Sequence, residues 1–493
     1  MRKATEQYKS RSPSYVSAGR QTGSNGLPTP NSTLNGEDAA VNGACSAAVA
    51  SRLIPVDKGF TQGHSLVLAR SNNFNNTIIS PIPLLSPHLE RSQLYNEFVT
   101  TYLPITRGGA QNGHFSFYQT IVHKQSEELA LQQGLDALSL VQVGSLYKNQ
   151  QLMLEAKQKY GKALRSLRFR IAQNPSLYDD ELLAALTVLA TCELYEGLQS
   201  DISGWGSHVE GANRLVAMRG PDSIRSDLAL LLFSNMRHGS LLHALINRKA
   251  PFMASPEWRE VAFRVPNSVL DHSTSFYDKA IQVPGLLERH DKLDLELPSA
   301  LDDIDRLLAD CDKLEGELRH WFTEWQEQGK LEYRTLRLRT PIDEFPTFTT
   351  LCKDRTFEEA YWFYDFLVAY LHSLYYMVMH YLRTDIQSLH RHRHTLLPDW
   401  YPKAKSVVPE DELLGLILEL CRCIPFFVEP ISSSTGHIGI FLPMRCASIY
   451  FREHDHWKYL KWIGEVKGTV FTKGLVPPTV QHNAARLSPG PRS

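Results

Sequence analysis

The chain has 493 residues, 52 lysines and arginines against 53 aspartates and glutamates, a formal net charge of -1 and 43% hydrophobic residues. This length holds several ordinary domains or one large domain with unstructured ends, and the composition excludes fibrous, collagenous and wholly disordered classes. A net charge near zero removes any global attraction to nucleic acid or anionic lipid, so such contact would need a locally basic segment.

Residues 1–85 are rich in Ser, Asn, Gly, Thr and Pro, with NNFNN at 72–76, and show no sustained period. Such a segment cannot bury enough apolar surface to offset ordering entropy, and a disordered linker is expected. Its opening carries Arg2, Lys3, Lys9, Arg11 and Arg20 without the apolar stretch of a signal peptide, and the Gly and Pro around 23–30 oppose an amphipathic transit peptide. A second disordered tail is expected over 476–493, leaving a folded body at 86–475.

Inside the body the recurrent period is helical. Over 152–171, Leu152, Ala156, Tyr160, Ala163, Leu164, Leu167 and Ile171 follow steps of three and four. Lys157, Lys159, Lys162, Arg165, Arg168 and Arg170 put a basic face on the same helix, read as solvated because it offers few side chains able to address base edges. Residues 179–196 are apolar nearly all round, as in a helix enclosed by others, with Asp179 or Asp180 as its cap. A short helix over 207–219 closes at Gly220 and Pro221, with Arg219 complementing its dipole. Further helices are predicted at about 224–247, 301–326, 357–382, 410–423, 443–453 and 457–466. The run 361–382 is long enough for a bilayer, but Asp365, His372, His380 and its tyrosine hydroxyls mark a buried helix instead. With no βαβ alternation and no fixed repeat, the fold class is all-α and multi-helix, and a solenoid has little support.

Catalysis would leave convergent polar groups at recognisable spacings. Hydrolase, phosphate-loop and zinc-protease signatures are all missing, and Gly204-Trp205-Gly206 lacks the strand and third glycine of a dinucleotide site. In HRHRH, His390, His392 and His394 alternate with Arg391 and Arg393, which would repel a cation, so a solvated basic loop is expected. His454 and His456 should point different ways on a helix, beside a packed Trp457, and Cys421 with Cys423 lacks a second pair and reads as core. The cysteines, Cys45, Cys192, Cys311, Cys352, Cys421, Cys423 and Cys446, are odd in number and unclustered, which fits a reducing compartment. No catalytic, cofactor-binding or metal-binding residue is assigned.

Three segments in order, ALSLVQVGSLYKNQQLMLEAKQKYGKAL, DDELLAALTVLATCELYE and W-x-x-H-x-x-G-A-x-x-L-x-x-x-R-G at 205–220, together with LPMRCASIYF from Leu442, Trp462, GEVKG and Gly474, resemble the fungal-specific transcription factor domain. That domain follows a binuclear zinc cluster in fungal regulators. The likeness spans about 94–475 and implies an all-α regulatory domain in a nuclear regulator of RNA polymerase II genes. Within the signature, Trp205 is read as a large apolar anchor ahead of a helix, and Gly211 and Ala212 as small residues admitting a neighbouring helix. His208 is read as a neutral imidazole bonding a neighbouring loop, and Arg219 with Gly220 as the helix end.

The sequence departs from the family pattern at its start. The cluster takes six cysteines, whereas Cys45 is the one cysteine before Cys192, so no cluster can be built here and zinc is expected only with an upstream segment. RKATEQYKSRS resembles the basic stretch that follows the cluster. Two readings stay open: a missing upstream exon, or a cluster-less regulator acting through partners. The implied partners are the transcription machinery or co-regulators, with a homodimer also open. No membrane contact and no sequence-specific DNA binding by this chain alone are expected, and control of one pathway, such as a biosynthetic gene cluster, fits the resemblance. The rivals are a helical enzyme or ligand-binding protein with a pocket lined by the aromatic helix at 357–382, and a solenoid-like adaptor.

Overall fold

The computed structural model describes residues 87–105, 113–124, 126–173, 179–196, 198, 204–264, 272–331, 336–397, 408–470 and 474–475. All lie in one unit, Leu84–Ser493. The linker expected at 1–85 and the tail at 476–493 fall outside the described residues. The described body is helical, with a single two-stranded sheet among its described residues.

The first half is a stack of helices around two central ones. Helix α1 (Pro87–Tyr102) and α2 (Gly113–His123) precede α3 (Leu129–Leu146), which folds back on α4 (Gln150–Ala172). The reversal is set by Lys148 in the left-handed region and by Asn149, whose side chain accepts from the amides of Gln151 and Leu152. Ala156, Tyr160, Ala163 and Leu167 are the buried stripe of α4, with Leu152 and Leu164 partly buried beside them, whereas Ile171, predicted to continue the stripe, is exposed at the helix end. The basic face is only partly solvated. Lys157, Lys162, Arg165 and Arg168 are exposed, but Lys159 reaches the buried Asp136 on α3 at 2.8 Å and Arg170 reaches Glu128 at 2.7 Å. Asp136 also accepts from Arg91 and from the Tyr95 hydroxyl, each at 2.9 Å, so one carboxylate ties α1, α3 and α4.

Helix α5 (Asp180–Cys192) is buried at every position from Leu182 onward, and Asp179 caps it by accepting from the Leu182 amide at 2.9 Å. It packs on α3 and on α6 (Gly204–Arg219), which packs in turn on α7 (Asp227–Asn247). The end of the body returns to this region: Leu475 bridges Tyr195, and the Glu196 amide donates to the Gly474 carbonyl at 2.7 Å.

Short helices α8 (Pro256–Val261), α9 (His272–Ala280) and α10 (Val283–Asp291) lead to α11 (Ala300–Leu331). The predicted helix at 357–382 is corrected here. Strand β1 (Arg337–Pro341) pairs antiparallel with β2 (Glu359–Phe363), with α12 (Pro346–Leu351) between them. Asp365 then caps α13 (Phe366–Leu396) by accepting from the Val368 amide at 2.9 Å. Helix α13 carries the HRHRH run, which is therefore no solvated loop. His390 is buried, and Arg393 pairs with Asp305 of α11 at 2.8 Å, because acids on the facing helix neutralise this end.

Helix α14 (Glu410–Val428) packs along α13 and against β2, followed by α15 (Ser433–Gly439), α16 (Phe441–Glu453) and α17 (Trp457–Val470). Cys421 and Cys423 are buried core thiols. His454 and His456 sit in the turn between α16 and α17 instead of diverging on a helix, with both rings against Tyr450. Trp457 is 61% exposed, and the packed indole is Trp462. One contiguous apolar cluster runs from Tyr95 to Leu475. Among the described residues no helix is long and apolar enough to cross a membrane.

Candidate functional site

The signature at 205–220 forms one wall of a cavity of about 610 Å³ between α5, α6, α7, the start of α13, and α15 to α17. Helix α6 begins at Gly204, whose Cα abuts the Glu193 carboxylate; a Cβ there would overlap those oxygens, so a larger residue would have to push that side chain aside. This is the close approach expected at Gly211, which instead has open space where its Cβ would stand. Ala212 is buried and lines the cavity.

Trp205 lies inside the first turn of α6, not ahead of it. Its indole is half-buried, tilts on the His243 ring at 6.1 Å and faces the cavity. His208 follows one turn later. Its Nε2 is 3.4 Å from the Tyr160 hydroxyl and 3.8 Å from Glu193 Oε1, while the Tyr160 hydroxyl itself donates to Glu193. Burial lowers the His208 pKa although Glu193 opposes the shift, which keeps a neutral imidazole in the wall. Its partners are α4 and the α5 cap, not a loop. Arg219 pairs with Asp180 at 2.7 Å, away from the cavity, and Gly220 takes φ 78°, which ends the helix at little cost.

The opposite walls come from residues that the sequence reading did not single out. His238 of α7 lies with Nδ1 3.0 Å from the Tyr370 hydroxyl and 3.2 Å from that of Tyr277. Phe366 and Tyr370 bring the aromatic start of α13 into the lining, as the pocket reading of that helix anticipates. Arg445 of α16 and Lys467 of α17 supply two positive charges. An arginine inside the apolar LPMRCASIYF was the available signal, but its meaning depends on partners that only the fold reveals.

Apolar surface, a neutral imidazole, hydroxyls and two cations make a wall suited to holding a molecule. Among the described residues no group of three His, Cys, Asp or Glu side chains is placed to hold a metal. The fold defines an all-α, multi-helix domain that encloses a cavity. The chain belongs to the family of the fungal specific transcription factor domain, whose model matches residues 72–467, and this supports a role in transcription regulation. It is 27% identical over 216 residues to uncharacterized protein AN5342 of Emericella nidulans. That alignment covers 42% of this chain and 44% of the relative, so the chain matches less than half of that protein's length. No solved structure matches the chain.

Proposed function

We propose that this protein is a nuclear regulator of RNA polymerase II transcription, acting by binding and not by catalysis. The family match over residues 72–467 carries the reading, because it takes in the helices from α1 to most of α17. The domain works through co-regulators or the transcription machinery, as a monomer or homodimer, and pathway-specific control is the scope that we assign to it. Its basic helix supports contact with proteins over DNA: Lys159 and Arg170 are spent on internal ion pairs, which leaves a dilute positive face.

The test tethers the full chain to a DNA-binding module of known site in a fungal host carrying a matching reporter. A reporter output changed several-fold, with the protein in the nuclear fraction, is the expected result. Unchanged output together with exclusion from the nucleus would overturn the proposal. A second reading, a ligand-binding protein, is favoured by the cavity and is compatible with the first, since a regulator's domain can be biased by a bound molecule.

A further inference from the structure

Of the two cations of the cavity wall, Arg445 is exceptional in how it is partnered. Elsewhere the half-buried arginines of this fold meet carboxylates: Arg248 meets Asp385 at 3.0 Å, Arg259 meets Asp278 at 2.8 Å, and Arg383 meets Glu412 at 2.7 Å and Glu315 at 2.8 Å. Arg445 is half-buried, and among the described residues no carboxylate lies within 4.0 Å of it and no hydrogen bond engages it. Lys467 is exposed at the rim and donates to the Ser448 hydroxyl at 2.7 Å, with no acid in ion-pair range among the described residues. Partial desolvation, and then the positive fields of Arg452 and Arg445, lower the Lys467 pKa, which is the mark of cations gathered without a counter-ion. Partly desolvated cations that lack an anion are costly unless something supplies one.

The rest of the lining says what the anion should be attached to. Much of the remaining wall is apolar, with Leu242, Ile246, Ile438 and Leu442 among its side chains. At the signature helix the imidazole of His208 is kept neutral and the Glu193 carboxylate stands behind it, so that region repels a negative group. The lining is therefore mixed in charge, with cations contributed by α16 and α17 and, from α6, a neutral imidazole backed by an anion. The cavity volume of about 610 Å³ falls within the range of small-molecule sites, roughly 300–1,000 Å³.

We propose that this cavity binds an apolar monocarboxylic acid, with the carboxylate held by Arg445 and Lys467 and the hydrocarbon body lying toward Trp205 and Leu242. The guanidinium fork matches a carboxylate in two parallel hydrogen bonds, and the Lys467 ammonium adds a point charge from the neighbouring helix. The proposal rests on the ligand-binding reading of the cavity and is independent of nuclear location or promoter choice.

The experiment compares dodecanoate with dodecanol, an equal chain with a neutral head, both below their aggregation limits, on the full chain. Titration calorimetry and thermal melting are read for the wild type and for Arg445→Gln and Lys467→Gln. Saturable binding of dodecanoate at least about tenfold tighter than dodecanol is expected, with the preference collapsing in either variant. Both side chains lack acidic partners, so the ligand-free variants should melt like the wild type. Equal affinity for the two probes would overturn the assignment of the head group while leaving a ligand cavity in place. Binding of neither probe, or an acid preference that survives both substitutions, would overturn the site itself.

Discussion

Asp385 sits where three helices meet, and its removal gives a direct test of the packing described above. Its carboxylate, 6% exposed, accepts from Arg248 Nη2 at 3.0 and 3.1 Å and lies 2.9 Å from His290 Nδ1. Arg248 ends α7, His290 belongs to α10 and Asp385 to α13, so one side chain secures all three. Breaking a buried ion pair costs about 3 to 5 kcal/mol, because the stranded charge is not recovered by water. Arg248 keeps a second acid, Asp291, at 2.9 Å, so its charge is not wholly stranded. We therefore expect Asp385→Ala to cost about 3 kcal/mol, the low end of that range. A matched control is the exposed pair of Arg289 with Asp310 at 2.6 Å, where both side chains are about half exposed. Asp310→Ala should cost under about 1 kcal/mol, since solvent already screens that pair. Urea unfolding followed by circular dichroism measures both. Equal losses at the two sites would refute the argument that burial, and not charge pairing as such, sets the cost.

Trp205→Ala should destabilise by about 1 to 2 kcal/mol, against about 3 to 5 kcal/mol for Trp462→Ala, because the first indole is half-buried beside an existing cavity and the second is enclosed. Equal losses in urea unfolding would place Trp205 in the core proper. Burial pulls the pKa of His380 down to about 4 and that of His372 down to about 3. Each is neutral in the fold and protonates more readily once unfolded, so the stability they confer is complete above about pH 6.5 and is lost as the pH falls toward 4 and then 3. His380→Gln should flatten the acid limb of an unfolding free-energy profile, and an unchanged slope would count against a buried neutral imidazole. The chain alone should bind duplex DNA weakly, with steep salt dependence and no sequence preference. Enrichment of a defined motif from a random duplex pool would contradict this.

Periodicity made the first half of the body readable in advance. The stripe of α4, the enclosed α5 and its Asp179 cap need only local sequence, since an amphipathic face and a capping oxygen are properties of a single segment. The region around β2 failed because aromatic residues suit buried helix and strand alike. Asp365, three residues before the amide it caps, was the start signal for α13 that the aromatic run obscured. HRHRH reads as a solvated loop in sequence because the acid that pairs with Arg393 lies on α11, far away along the chain. Within the signature, Gly204 and Gly211 look alike as letters, and only packing shows which one faces a carboxylate. The cavity was half visible: the aromatic helix announced a possible wall, whereas the lack of partners that distinguishes Arg445 exists only in three dimensions.

The bridge between Tyr195 and Leu475 also sets an order of events during synthesis. Helices α3 and α4 can pair as soon as both have left the ribosome, because their contacts are local. The strap over Tyr195 must wait for Leu475, which lies beyond α17 in sequence and is also a wall residue of the cavity. The chamber is therefore closed only after every helix that lines it has been made. A molecule that requires the complete wall can meet only chains already made past Leu475, so its occupancy reports that α3 to α17 have all been synthesised.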